Sequence, residues 1–325
     1  MKTNQPLFAP KTTEIFPATK GDSSPVGDSR DGSVYVYSEN IILAVRVALA
    51  TNRPLLIRGA PGNGKSSLAR NAARHLGWRY YEAVITSRTQ ARDLLWELDL
   101  LRRLSDANLR NKEIGEDLTP YIKPGIFWWA FDGESAERRG LPKESFDTQL
   151  RLSDPNRGGD AARAVVLIDE IDKADPDVPN NLLVPIGSLQ FEVEETRTVV
   201  KTEASRAPLV FITTNGEREL PPAFLRRCVD VELPDPTAER LVEIGRAHFP
   251  SQPESFLLEV ADSINPTIPS EDAFPNGKLR IGVAEYLDTV RACIELKIKP
   301  GSKDWKSLLK MTVLKGRVME NPLAS

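Results

Sequence analysis

Short apolar runs, each set between stretches of helical spacing, give the first two thirds of the chain its rhythm. Arg79–Ile85, apolar and aromatic, and Val229–Leu233 read as strands, while Leu55–Ile57, Ala164–Ile168 and Leu209–Ile212 run without polar alternation. Such runs predict strands buried on both faces, the mark of a parallel sheet covered by helices. Between them, Ile41, Ile42, Val45 and Leu49 follow a Ser38 cap, and Leu68, Ala69, Ala72, Ala73 and Leu76 form a second helical stripe. From Ser87 the spacing of Leu94, Leu98 and Leu101, widened by Leu95 and Trp96, predicts another helix. Asp175-Pro176 reads as N-cap and first position of a further one, with a kink or break expected at Pro185. Gln190–Thr202 alternates loosely around Glu194-Glu195 and predicts a projecting hairpin. Pro221–Asp230 predicts a short helix leading into the fifth strand.

After Pro234 the strand pattern stops. Asp235-Pro236 caps a helix reaching about His248, and Val283, Leu287, Val290 and Ile294 mark the last clear one. The expected layout is an irregular N-terminal arm over 1–37, an α/β core over 38–234 with insertions near 88–115 and 131–163, a small all-helical domain over 235–299 and a tail over 300–325. Trp128 and Trp129 lie in the most aromatic stretch of the chain and read as buried packing rather than a substrate grip.

Composition narrows the classes. Of 325 residues, 40% are hydrophobic and 27% charged, with a net charge of −3, so nothing suggests a protein built to coat nucleic acid or an anionic membrane. Two cysteines, Cys228 and Cys293, make no disulfide framework and lack metal spacing; they read as ordinary core thiols. Two histidines, His75 and His248, leave little for a His-based metal site or a Ser-His hydrolase. No secretory h-region and no membrane-length apolar stretch stands out, which reads as cytoplasmic.

The chemistry begins where the first strand ends. Gly59–Ser66, GAPGNGKS, fits G-x-x-x-x-G-K-[ST] between a predicted strand and a predicted helix. Phosphates need many N–H donors close together, which glycines permit and a helix N-terminus supplies. The phosphate-contacting stretch is Gly59, Ala60, Pro61, Gly62, Asn63, Gly64, Lys65, Ser66 and Ser67. Lys65 would reach the β- and γ-phosphates, and the Ser66 hydroxyl would hold Mg²⁺. The third strand ends in Asp169-Glu170, at the carboxyl end where open α/β sheets place ligands. Asp169 would bind the metal's water shell and Glu170 orient or deprotonate an attacking water. Asn215, at the polar tip of the fourth strand, can hydrogen-bond that water or the γ-phosphate, or simply start the turn before Gly216.

In order, GAPGNGKS, VVLIDEID, a hairpin, FITTN and LPPAFLRRC, with helices behind them, resemble the AAA+ ATPases and among them the MoxR-like group. The resemblance spans roughly residues 38–296. It implies an αβα P-loop sandwich with a five-stranded parallel sheet in the order 5-1-4-3-2 and a helical lid. It makes Lys65 and Ser66 Walker A residues, Asp169 and Glu170 Walker B, and Asn215 sensor 1. Arg227 best matches the arginine finger, with Arg226 beside it as the alternative, and Arg280, taken to begin a lid helix, matches sensor 2. The implied cofactors are ATP and Mg²⁺; ATP over GTP comes from the resemblance alone. The implied assembly is a homo-oligomeric ring of six, because an arginine finger acts on a neighbour's site, and the implied task is chaperone-like remodelling of a partner protein. Two other readings share the core: a nucleotide-dependent regulatory switch in a defence or signalling system, and a restriction or DNA-translocating motor. The chain departs from the compact pattern in the long stretch between Lys65 and Asp169 and in Pro185 and Gly187.

Overall fold

The computed structural model describes residues 7–16, 32–110, 117–143, 151–156, 160–264 and 282–313. Its described residues form two compact units, one within Met1–Ala9, Glu39–Arg58 and Ala69–Val231, the other within Pro10–Ser38, Gly59–Leu68 and Glu232–Ser325.

In chain order, β1 (Thr13–Ile15) and β2 (Val34–Val36) precede α1 (Glu39–Thr51), β3 (Leu55–Arg58), α2 (Lys65–Leu76) and β4 (Trp78–Val84). Then come β5 (Trp96–Leu98), α3 (Leu100–Arg110), β6 (Ile122–Pro124), α4 (Ile126–Phe131), α5 (Gly133–Glu137) and β7 (Asp160–Asp169). The strand-rich part closes with α6 (Asp177–Ser188), β8 (Gln190–Val193), β9 (Thr198–Lys201), β10 (Leu209–Thr214), α7 (Pro222–Leu225) and β11 (Val229–Glu232). The chain continues through α8 (Ala238–His248), α9 (Glu254–Ile264), α10 (Val283–Leu296) and α11 (Trp305–Thr312).

The first unit is built on a five-stranded parallel sheet in the order β11-β3-β10-β7-β4, the expected 5-1-4-3-2. Leu55–Ile57, Ala164–Ile168 and Leu209–Ile212 are buried, as unalternated runs require when both faces are covered. The hairpin of β8 and β9 pairs in register from Gln190↔Lys201 to Val193↔Thr198. Its Phe191 stacks on Trp96 at 5.9 Å and meets Trp128 edge-on at 6.2 Å. Trp128 and Trp129 are buried, so the aromatic stretch is core and the hairpin is docked on it.

Two local expectations are corrected. The stripe from Ser87 to Leu101 is not one helix: a 3₁₀ turn over Ala91–Leu94 leads into β5, and α3 starts only at Leu100. Trp96 decides it. As part of β5, opposite Pro124, it sets its ring on Phe191 and donates from Nε1 to Glu195 at 2.6 Å. A buried indole with its N–H satisfied outweighs helix propensity. At Pro185, where a kink or break was expected, there is no break. Helix α6 runs through it to Ser188, with Leu182, Leu183, Pro185 and Ile186 all buried. The local cost of an interior proline, roughly 3 kcal/mol, is offset by burial worth about 1.5–3 kcal/mol for each large side chain. That helix starts one residue later than expected, the Asp177 N–H bonded to the Asp175 carboxylate at 3.1 Å.

In the second unit, β1 and β2 pair antiparallel, Thr13 opposite Val36, in a stretch whose composition gave no regular element. Helices α8 to α11 close around Leu257, Val260, Tyr286, Leu287 and Val290. Gly245 on α8 admits the Tyr286 ring: an added Cβ would stand 2.5 Å from its hydroxyl oxygen. Among the described residues no helix is long and apolar enough to cross a membrane.

Candidate functional site

The candidate residues fall into two groups, one in each unit. In the second unit, Gly59–Gly64 leads from the end of β3 into the first turn of α2. Gly59, Gly62 and Gly64 have φ of 151°, 79° and 82°, all in the region that favours glycine. At Gly59 an added Cβ would stand 2.7 Å from the Leu233 carbonyl oxygen, so the loop passes where only glycine fits. Lys65 is buried, and its Nζ donates to the carbonyls of Gly59 at 2.8 Å and Ala60 at 2.9 Å. The lysine thus lies along the loop it belongs to. Asn63 is buried too, its Nδ2 at 3.5 Å from both the Pro234 carbonyl and Asp235 Oδ1. The N-terminal turn of α10 meets the same loop. The Ala284 N–H donates to the Gly62 carbonyl at 3.0 Å, and Glu285, which accepts from the Gly282 N–H at 3.0 Å, lies against Gly62. Ser66 and Ser67 follow Lys65 in the first turn of α2.

The first unit brings Asp169, Glu170 and Asn215 together. Asp169 is the last residue of β7, and Glu170 turns the chain out of the sheet at φ 61°, ψ 49°. That left-handed backbone costs a side-chain-bearing residue roughly 1–2 kcal/mol. The turn is held from β10: the Glu170 N–H donates to Thr213 Oγ1 at 2.9 Å, and the same hydroxyl donates to Asp169 Oδ1. The Glu170 carboxylate accepts on both oxygens, Oε1 from Asn215 Nδ2 at 3.2 Å and Oε2 from Lys173 Nζ at 2.6 Å. That bond keeps the Lys173 ammonium charged above the usual lysine range. Asp172, buried, accepts from the backbone N–H groups of Asn215 at 3.2 Å and Glu217 at 2.9 Å, tying the turn after β7 to the turn after β10.

The AAA domain, dynein-related subfamily, matches residues 54–228, more than half of the chain. The chain belongs to that family. Among solved structures, this AAA protein is similar to a provisionally assigned ATPase from Cytophaga hutchinsonii, at 16% identity and a TM-score of 0.41, over 70% of this chain and 57% of that one. It is also similar to the Thermotoga maritima RuvB Holliday junction branch migration motor, at 16% identity and a TM-score of 0.42, over 83% of this chain and 66% of that one. The chain therefore spans less than two thirds of the length of either. No curated protein matches it.

The arginines of this AAA chain are placed unequally. Arg226 and Arg227 follow α7 and are both exposed; among the described residues, no side-chain partner holds either. Arg280 lies outside the described residues, and the helix it was expected to begin starts at Val283, with Gly282 as its N-cap. Three residues that organise the acid cluster were not read from the sequence: Thr213, Asp172 and Lys173. A hydroxyl inside an otherwise apolar strand was the available signal for Thr213, since a buried polar group needs a partner. The third acid of Asp-Glu-Ile-Asp was the signal for Asp172.

Proposed function

We propose that this AAA protein binds ATP with Mg²⁺ and hydrolyses it, and that, as a MoxR-like member working in the cytoplasm, it assembles into a ring, six subunits being the expected number, that remodels a partner protein. The observation that carries the reading is the loop between β3 and α2, where three glycines at positive φ precede a helix N-terminus and a buried lysine. Backbone N–H groups at the start of α2 suit phosphate oxygens, and Lys65 would exchange its loop carbonyls for the β- and γ-phosphates. Ser66 and Asp169 offer the hard oxygen donors that Mg²⁺ prefers and are the residues to hold it. Bound there, Mg²⁺ would neutralise charge on the phosphate oxygens. Glu170 accepts the proton of the attacking water, while Asn215 and the αL turn fix its carboxylate. Arg227, exposed and without a side-chain partner among the described residues, would serve a neighbouring subunit.

The test is Glu170→Gln. It should bind a fluorescent ATP analogue as the parent does, while steady-state turnover falls about 10²–10⁴-fold. Parental turnover would remove Glu170 from the role. Pull-down with this variant should retain the partner protein in ATP and release it in ADP.

A further inference from the structure

We propose that Lys173 is a positioning residue for Glu170, fixing the orientation of the carboxylate that takes the proton; the inference rests on the reading just given. Three groups converge on Glu170. Thr213 holds its backbone N–H, Asn215 holds Oε1 and Lys173 holds Oε2. Lys173 reaches back because the chain after Glu170 makes a single 3₁₀ turn over Ile171–Lys173, closed by the Lys173 N–H on the Glu170 carbonyl at 3.0 Å. With donors on two different oxygens, the plane of the carboxylate is set. With Asn215 alone, the group could pivot about the one bond that remains. The acids near Lys173 do not offer it an equal alternative. Asp172 is buried, with its Oδ2 taken by two backbone N–H groups from the turn after β10, and both Asp172 and Glu217 act on Lys173 only through their fields. The pair is partly open to solvent, Lys173 at 40% and Glu170 at 29% side-chain exposure. An i,i+3 pair so exposed stabilises a fold little, so a large effect of removing it must come through chemistry.

The test uses Lys173→Met and Lys173→Arg in the full chain, each alone and with Glu170→Gln. Lys173→Met should lower kcat about 10- to 100-fold, the scale of a misplaced reacting group. Affinity for a fluorescent ATP analogue and the melting temperature should stay at parental values. Lys173→Arg should recover most of the lost kcat. The deciding comparison is the double variant Glu170→Gln with Lys173→Met, which should turn over at the rate of Glu170→Gln alone, since a positioning residue has nothing left to position. Lys173→Met at or above the parental rate would overturn the proposal, and so would a double variant in which the two losses multiply in full. Parental turnover by Glu170→Gln on its own would instead remove the base on which the proposal rests.

Discussion

The hydroxyl of Thr213, inside β10, donates to the carboxylate of Asp169 at the tip of β7. Because the same oxygen accepts the Glu170 N–H, one side chain from a neighbouring strand sets both acids at the carboxyl end of the sheet. Thr213→Val keeps the shape and removes both bonds. The Glu170 N–H then loses its acceptor at a turn already in the left-handed region. We expect a loss of about 1–3 kcal/mol in unfolding free energy, with turnover falling alongside it. Denaturant titration and steady-state hydrolysis of the same preparation check this; unchanged values in both would mean that the hydroxyl holds neither acid.

Gly59 and Gly187 should respond in opposite directions to alanine. At Gly59 the backbone is at φ 151° and the new Cβ would press on the Leu233 carbonyl oxygen, so the phosphate loop has to shift. Affinity for an ATP analogue should fall at least about tenfold, a cost of about 1.4 kcal/mol. Gly187, exposed near the end of α6, has nothing within 4 Å of an added Cβ. There alanine should stabilise by roughly 0.5–1 kcal/mol through helix propensity, seen as a raised melting temperature with binding unchanged.

The two cysteines should be slow to react. Burial disfavours the thiolate and pushes Cys228 up to about 12 and Cys293 up to about 11. At pH 8 both remain protonated, so alkylation of the native protein should lag far behind that of the unfolded chain. Mass spectrometry after timed iodoacetamide exposure measures it. Rapid labelling of Cys228 in the native state would place its thiol in a more open setting than the edge of the core beside Arg58 and Asp230.

The sheet was legible because its strands carry their burial in the sequence. Val165 to Ile168 and Leu209 to Ile212 have no polar alternation and accept only a place covered on both sides. The glycine loop between β3 and α2 was legible because Gly59, Gly62 and Gly64 carry a backbone requirement that can be read locally. What escaped were effects that depend on a partner distant in the chain. Trp96 sits in a strand because Phe191 and Glu195 lie almost a hundred positions ahead, and helical spacing holds no trace of them. Pro185 is tolerated because its neighbours on α6 are buried, which local rules about proline cannot weigh. Lys173 was not read at all, since its bond to Glu170 depends on the αL turn there and that turn on Thr213, more than forty residues away.

Arg227 gives the sharpest test of assembly. Phosphoryl transfer spreads negative charge over the γ-phosphoryl and leaving oxygens, and a guanidinium there stabilises the transition state more than the ground state. In other P-loop enzymes such an arginine contributes about 10³–10⁵ in rate. Arg227 follows α7 exposed and without a side-chain partner among the described residues, so its charge is free to meet another chain. Arg227→Ala should therefore keep ATP binding in its own subunit while losing most hydrolysis. Lys65→Ala should do the reverse, losing binding because the phosphates lose their main cation while keeping its own Arg227. Neither variant should turn over alone. Mixed, they should recover activity, because a subunit with an intact loop can stand next to one with an intact arginine. Steady-state hydrolysis across mixing ratios, with co-assembly shown by tagged capture, gives the answer. Co-assembled mixtures that stay inactive would return Arg227 to its own subunit and make Arg226, equally exposed beside it, the next residue to change.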